Sequence, residues 1–179
     1  AYLAIVGDIN LQDAKRLVNK HFSKWEKGNV PSFQYEIPAP PAKNTVALVD
    51  RSASQQSVID VTYPIQNSLS SDDYLASRIV GFALGGGASS RLFMNLREDK
   101  SFTYGANARI GSDKLVASFN AFSSVRGSAT DSAVNEIIYE IRNLKENGVT
   151  QEELETAKAN LSGSFARSLE SPTTIAQFA

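Results

Sequence analysis

The stretch LGGGASSRLFMNLREDKSFTYGANA, from Leu84 to Ala108, decides how this chain folds. Three consecutive glycines, Gly85 to Gly87, end any helix that precedes them. After them, Ser89 or Ser90 can cap a new helix by accepting a backbone N–H bond in its first turn. The stretch therefore predicts a short amphipathic helix that starts near Arg91.

A turn and a strand follow this helix. Residues 99–101 have the composition of a turn, and the alternation from Thr103 to Ile110 predicts a strand. Because the turn reverses the chain, it can bring the guanidinium of Arg97 and the phenol of Tyr104 into one cleft. Both groups donate hydrogen bonds, which suits gripping the backbone carbonyls of an extended peptide. On spacing alone, a solvated charge at a helix end and a packed strand tyrosine are the favoured roles.

Nearly the whole chain resembles the C-terminal domain of the inverted-zincin metallopeptidases, the pitrilysin, insulinase and mitochondrial processing peptidase family. The resemblance is carried by the block quoted above, by the opening YLAIVGDIN with the helix LQDAKRLVNKHFSKW, and by the closing LKENGVTQEELETAKANLSGSF. It implies the substrate-binding half of a zinc-dependent endopeptidase. In that family an arginine and a tyrosine, seven residues apart, hold the substrate and help to stabilise the tetrahedral intermediate. By resemblance these are Arg97 and Tyr104.

The zinc motif of that family is absent from this sequence. A catalytic zinc needs three protein ligands, and the family supplies two of them from an H-x-x-E-H helix. This chain has one histidine, His21, and no cysteine. The helical spacing around His21 predicts a packing or surface role. We therefore expect no metal or other cofactor on this chain, no activity of the segment alone, and zinc on a preceding domain or another subunit.

Composition predicts one globular domain. The chain has 179 residues, 42% of them hydrophobic and 21% charged, with a net charge of −1. Charges of both signs are interspersed, so nothing in the sequence favours nucleic acid or an anionic membrane. No apolar run approaches the roughly 20 residues of a membrane span. The absence of cysteine leaves the compartment open, with bacterial periplasm and cytoplasm both compatible.

The two ends of the sequence suggest a fragment. An apolar run, Tyr2–Val6, opens the chain without a lead-in, and a helix-start signal at Ser171 and Pro172 comes just before the end. We therefore expect residues 1–179 to be a single C-terminal domain cut from a longer protein. The resemblance implies a zinc-bearing N-terminal domain or subunit as partner, a peptide as substrate, and a homodimer or heterodimer of such halves.

The pattern along the chain predicts an α+β layered domain with a mainly antiparallel sheet of about five or six strands and helices packed on one face. The expected strands are Tyr2–Val6, Thr45–Asp50, Ser57–Tyr63, Thr103–Ile110 and Leu115–Phe122. The second and third would pair with each other, and the last two would form a hairpin. Helices are expected from Leu11 to about Trp25, before the triple glycine, after Gly127, and from a capping box at Thr150 and Glu153.

Two other functions stay open on the sequence. The same fold serves in this family as a non-catalytic structural or assembly subunit, so the resemblance implies that role as well. A nucleotide-binding α/β domain is suggested by the turn at Gly7 and by the triple glycine before a helix, where backbone N–H groups can hold phosphate. However, the sequence has no G-x-x-x-x-G-K-[ST] motif, and its triple glycine follows a helix and not a strand.

Overall fold

The computed structural model describes residues 3–33, 35, 36, 38, 39 and 41–178. The chain divides into two compact units: unit 1 combines Ala1–Gln34 with Ala159–Ala179, and unit 2 is Tyr35–Lys158. The candidate site lies entirely in unit 2. Among the described residues, no helix is both long enough and apolar enough to cross a membrane.

The described residues form six α-helices and three strands, joined in places by shorter helical turns. In chain order they are α1 (Leu11–Phe22), β1 (Gln56–Ile65), α2 (Tyr74–Gly85), α3 (Arg91–Phe93), a π-helical turn (Met94–Asp99), β2 (Thr103–Ile110), β3 (Ala117–Arg126), a 3-10 turn (Gly127–Ala129), α4 (Thr130–Asn147), α5 (Gln151–Ser168) and α6 (Pro172–Phe178).

Unit 1 contains α1, α6 and the C-terminal part of α5. Asn10 caps α1, because its side-chain oxygen accepts a hydrogen bond of 2.9 Å from the backbone N–H of Asp13. The helix ends at Phe22, three residues before the predicted end at Trp25. In the C-terminal part, the rings of Phe165 and Phe178 meet edge to face at 5.3 Å.

Unit 2 is built on an antiparallel sheet with the order β1-β3-β2. Along the central strand β3, every second side chain is buried, as expected for a sheet with one covered face. Phe119, Ala121 and Val125 pack there against Leu92 and Ile137 from the helical layer. The opposite face of the sheet is open, as predicted for helices packed on one side. Exposed apolar side chains such as Val58 and Phe122 lie on that open face.

The prediction of five or six strands was wrong, since the described residues contain three. Tyr2 lies outside the described residues, and residues 3–6 are exposed and outside any strand. Thr45–Asp50 is not a strand either, and Val46 and Leu48 in it are 80% and 88% exposed. Alternating apolar residues indicate a strand only where a neighbouring strand offers backbone partners. The predicted partner, β1, pairs instead with β3.

The hairpin was predicted correctly, but its second strand was displaced. The predicted Leu115–Phe122 became Ala117–Arg126, whereas β2 has the predicted bounds. Asp113 delays the start of β3, because its side chain accepts a bond of 2.8 Å from the backbone N–H of Leu115 and forms a turn there. The strand continues beyond Phe122 because its last residues pair with the start of β1.

Candidate functional site

The helix of the quoted stretch starts at Arg91, as predicted, but it widens into a π-helical turn from Met94 to Asp99. The backbone N–H of Lys100 bonds to the carbonyl of Asn95 at 3.0 Å, which is the i to i+5 spacing of a π turn. Ser90 occupies the position before the helix, although its hydroxyl donates to the carbonyl of Gly87 at 2.6 Å and does not cap. Such turns are frequent at functional sites.

Two leucines fix this helix to the core. Leu92 and Leu96 are both fully buried in the core cluster. Burying one leucine side chain contributes about 1.5–3 kcal/mol, which is more than an exposed ion pair usually gives. The position of the helix is therefore set by these leucines and not by the charged residues of its outer face.

Arg97 lies on the outer face of the π-helical turn. Its guanidinium stacks over the ring of Phe93, with the Cζ atom 4.7 Å from the ring centroid, and its Nε atom is 3.5 Å from a carboxylate oxygen of Glu98. The side chains of Arg97 and Glu98 are 45% and 50% exposed. Neither contact holds the arginine strongly, since both are made at the solvent surface. Arg97 therefore remains available to bind another molecule.

The chain turns between Arg97 and the following strand through Ser101. The backbone of Ser101 has a φ of 53°, the left-handed conformation that few residues other than glycine adopt. Its N–H donates to the carbonyl of Arg97 at 3.1 Å. Arg126, at the end of β3, donates from Nη1 to the carbonyl of Ser101 at 3.2 Å and stacks over the ring of Phe102 at 5.4 Å. The turn is thus held from both sides.

Tyr104 is the second residue of β2, and the residue is 88% exposed. It lies where the register of β2 against β3 shifts, between Thr103 and Ala106. Its phenol makes no hydrogen bond with the described residues. Arg97 and Tyr104 thus flank the same short turn as exposed donors, and no hydrogen bond links their side chains. A β-bulge near a site commonly redirects a side chain in this way.

A cavity of about 480 Å³ is located elsewhere, at the far end of the hairpin. Its lining includes Arg109, Asp113 and Asn120, and neither of the predicted site residues contributes to it. Arg97 and Tyr104 are instead exposed at the other end of the hairpin, beside the turn at Ser101.

A polar cluster behind the π-helical turn was not predicted from the sequence. The side-chain amide of Asn95, which is 9% exposed, donates to Glu136 at 2.9 Å and to Glu140 at 2.7 Å, both on α4. Lys100 contacts the other carboxylate oxygen of Glu136 at 3.6 Å. Their spacing of four residues puts Glu136 and Glu140 on the same face of a helix, but only the fold shows that Asn95 lies opposite them. The cluster adds polar contacts between α4 and the turn that carries Arg97, beside the two buried leucines.

A second polar connection joins the start of α3 to the start of α5. Arg91 donates from Nε and Nη2 to the two carboxylate oxygens of Glu153, at 2.6 and 2.8 Å. Glu153 and Thr150 also form the predicted capping box, with bonds of 2.7 and 3.2 Å. The hydrogen bond from Arg91 is the main cause that lowers the pKa of Glu153, and the same bond raises the pKa of Arg91. Both groups stay charged near neutral pH.

Two glycines of the triple are required by packing, since a Cβ atom at Gly86 would be 2.6 Å from the Cα atom of Phe82 and one at Gly85 would overlap with a strand. A Cβ atom at Gly85 would be 1.9 Å from the backbone nitrogen of Ala108, so α2 and β2 approach too closely for any side chain. At Gly87 the same atom would meet only the ring of Phe82, at 3.6 Å. The close approach of a helix to a strand accounts for Gly85 without any bound phosphate.

The described residues do not fit a catalytic zinc ion. His21 is exposed on α1. Within the described ranges, no three residues of the types His, Cys, Asp or Glu are grouped so that they could hold a metal. A catalytic zinc needs three such ligands.

Comparison with known proteins identifies relatives along most of the chain. Residues 1–161 match the family described as "Peptidase M16 inactive domain". The chain is 21% identical over 178 residues to the "Probable inactive metalloprotease YmfF" of Bacillus subtilis (strain 168), a match covering 98% of this chain and 40% of that protein. It is 31% identical over 93 residues to the "Uncharacterized zinc protease YmxG" of the same organism, a match covering 52% of this chain and 23% of that protein. The chain thus spans well under half the length of these relatives.

Solved structures share the fold. A protease from Helicobacter pylori superposes with a TM-score of 0.77 at 24% identity, over 96% of this chain and 42% of that one. The peptidase M16 inactive domain from Pseudomonas fluorescens gives a TM-score of 0.74 at 23% identity, over 88% of this chain and 38% of that one. At these identities the superpositions show a common fold only. Joined to the family match over residues 1–161, they lead to one conclusion: this chain belongs to the peptidase M16 family, in which it is the inactive domain.

Proposed function

We propose that this chain is the substrate-binding half of a zinc-dependent endopeptidase, and that Arg97 and Tyr104 bind the peptide. The observation that supports the proposal is their placement on either side of one braced turn. Both present hydrogen-bond donors to solvent, and the 88% exposure of Tyr104 is unusual for an aromatic residue in a strand. An exposed ring without a packing role suits contact with another molecule.

The two donors have different chemical roles in this proposal. The phenol O–H of Tyr104 donates to the carbonyl oxygen of the scissile bond as negative charge develops on it. The guanidinium of Arg97 holds a neighbouring carbonyl of the same peptide, for which its rigid fork of donors is suited. Removing one oxyanion donor typically costs about 2.7–4 kcal/mol of transition-state stabilisation.

The metal and the general base belong to another part of the enzyme. Because the residues that the structure describes do not fit zinc, a second domain or subunit supplies it in this proposal, and the peptide is held between the two parts. The relative named as a zinc protease supports this arrangement, as does the resemblance to half of a two-part peptidase. Whether the two parts are in one chain or two is decided by the sequence of the complete protein.

Cleavage of a quenched, unstructured peptide by the complete, zinc-loaded protein tests the proposal. Tyr104→Phe is expected to lower kcat about 100-fold to 1000-fold with little change in KM. Arg97→Ala is expected to raise KM as well, since it holds the substrate in both states. Tyr139→Phe and Arg142→Ala on α4 are matched controls at exposed positions and should behave as wild type. Unchanged turnover in Tyr104→Phe, at equal zinc content, would reject the assignment.

A structural or assembly role is the second candidate. It is favoured by one observation, that the relative matching 98% of this chain is named as a probable inactive metalloprotease. The same assay separates the two functions. Under the structural role, the zinc-loaded wild type cleaves no peptide, and none of the substitutions at Arg97 or Tyr104 changes its behaviour.

A further inference from the structure

The start of β2 contains a β-bulge that includes Tyr104. The register of β2 against β3 shifts between Thr103 and Ala106. Tyr104 and Gly105 therefore together oppose a single residue of β3, Ser124. A bulge removes its extra residue from the regular ladder of backbone hydrogen bonds. Something other than the ladder must then hold the backbone that carries the Tyr104 ring.

Two hydroxyl groups hold this bulge. The Oγ1 atom of Thr103 accepts a bond of 3.1 Å from the N–H of Gly105. Its own proton has two acceptors within reach, the carbonyl of Ser124 at 2.6 Å and the carbonyl of Gly105 at 2.9 Å. The hydroxyl of Ser123, which is completely buried, donates to the carbonyl of Gly105 at 3.0 Å. The polar groups of Gly105 are thus bound from both strands.

The bond to Gly105 acts directly on Tyr104. The N–H of Gly105 belongs to the same planar peptide unit as the carbonyl of Tyr104. When Thr103 fixes that N–H, it also fixes the orientation of the plane next to the Cα atom of Tyr104. The side chain itself makes no hydrogen bond with the described residues, so the direction of its Cα–Cβ bond depends on backbone restraints such as this one.

We propose that Thr103 is a positioning residue, whose hydroxyl closes the bulge and holds the phenol of Tyr104 in the direction needed to meet the peptide carbonyl. The inference rests on the function proposed for Tyr104. It adds a polar residue that no spacing in the sequence indicates, since a threonine at the start of a strand is ordinary β composition. A small misplacement of a catalytic group is enough to lower a rate strongly.

The test uses Thr103→Val, which keeps the shape of the side chain and removes the hydroxyl. In the complete, zinc-loaded protein we expect kcat to fall between about 10-fold and 100-fold with KM nearly unchanged. Thr62→Val is the matched control. Thr62 on β1 also donates from its hydroxyl to a backbone carbonyl, that of Phe119 at 2.9 Å, but away from Tyr104. Both variants should melt at similar temperatures, and only Thr103→Val should lose turnover, while Thr103→Ser restores it.

A double-mutant comparison shows whether Thr103 acts through Tyr104. If it does, Thr103→Val causes no further loss of kcat in a protein that already carries Tyr104→Phe. If the two single losses of kcat multiply in the double variant, or if Thr103→Val has a normal kcat, the inference about Thr103 is overturned while the proposed function stands. A normal kcat in Tyr104→Phe would overturn the proposed function, and the inference with it.

A readout without catalysis completes the test. In protein with isotope-labelled tyrosine rings, the NMR signal of Tyr104 should shift or broaden in Thr103→Val and stay unchanged in Thr62→Val. An unchanged Tyr104 signal in both variants would show that the hydroxyl does not hold the ring, and would also overturn the inference.

Discussion

At the scale of single residues, the site depends on one unusual backbone conformation, that of Ser101. Its φ of 53° costs free energy for any residue with a Cβ atom, and it persists because Arg97 and Arg126 bond to its backbone on either side. The exposed side chain of Ser101 makes no hydrogen bond with the described residues. The conformation, and not the hydroxyl, is therefore what the turn requires.

Substituting Ser101 tests this directly. Ser101→Gly should raise the free energy of unfolding by up to about 1 kcal/mol, because glycine adopts the left-handed conformation without strain. Ser101→Val should lower it by about 1 kcal/mol or more, because a β-branched side chain is disfavoured there. Urea denaturation of the three proteins measures the differences. The reverse order of stability would show that the turn is not left-handed at this residue.

Gly85 is required for a different reason, the distance between α2 and β2. Gly85→Ala should lower the free energy of unfolding by about 3 kcal/mol or more, because its Cβ would overlap with the backbone of Ala108. Gly87→Ala, with only an ordinary contact to Phe82, is the control and should change stability little. Thermal melting compares the two. Similar melting temperatures for both variants would contradict the close approach seen here.

At the scale of secondary-structure elements, the helix that carries Arg97 is joined to α5 through Arg91 and Glu153. This paired contact is largely shielded, with side-chain exposures of 13% and 20%. Glu153→Gln should lower the free energy of unfolding by about 2 kcal/mol, since it removes a charge-assisted bidentate contact. Glu155→Gln, two positions along α5, weakens only exposed contacts, those with Lys158 and with the side-chain amide of Gln151, and should cost less than about 0.5 kcal/mol. Chemical denaturation of both variants gives the comparison, and equal losses would contradict it.

The same pair predicts a pH dependence. The folded pKa of Glu153 lies below its ordinary value of 4.5, chiefly because of the hydrogen bond from Arg91. The unfolded chain therefore binds its proton first, and stability falls as the pH drops below about 4.5 toward the folded pKa. The stability difference between wild type and Glu153→Gln should be constant near neutral pH and shrink in that acid range. A difference that stays constant down to acid pH would rule out the lowered pKa.

Elements were predictable from the sequence where local signals and tertiary partners agree. β2 has the predicted bounds because an alternating pattern follows a turn and a hairpin partner is close in sequence. The start of the helix at Arg91 and the capping box at Thr150 were predicted correctly for the same reason, since their signals lie within a few residues of sequence. Thr45–Asp50 carries a strand pattern too, but whether it pairs depends on a distant partner that its own residues do not specify.

The site was only partly predictable for the same reason. Arg97 and Tyr104 were singled out by resemblance, since their spacing alone favoured a solvated arginine and a packed tyrosine, and their functional pairing stays a prediction. The π-helical turn depends on a shifted hydrogen bond from Lys100 to Asn95, which no periodicity in six residues reveals. The bonds from Thr103 to the bulge arise from a register shift between two strands, and register is set by tertiary packing.

At the scale of the whole molecule, unit 2 is a sheet with helices on one face and an open opposite face. The Arg97 and Tyr104 pair is exposed at one end of this unit, and the chain spans 40% of a relative that matches 98% of it. The family match assigns the chain to the M16 inactive domain, and the part of it that the structure describes contains no group of residues that could hold a metal. Under the proposed function, this chain recognises the peptide and another part of the complete protein holds the metal.

The most direct test of the central claim compares two ligands of the complete, zinc-loaded protein. One is a peptide with a tetrahedral phosphinate in place of the scissile amide. The other is the parent peptide, whose binding is measured before it is cleaved. Tyr104→Phe should bind the phosphinate about 100-fold more weakly than wild type and the parent peptide equally well, because the phenol acts on the tetrahedral state. Unchanged phosphinate binding, or equal weakening for both ligands, would contradict the claim.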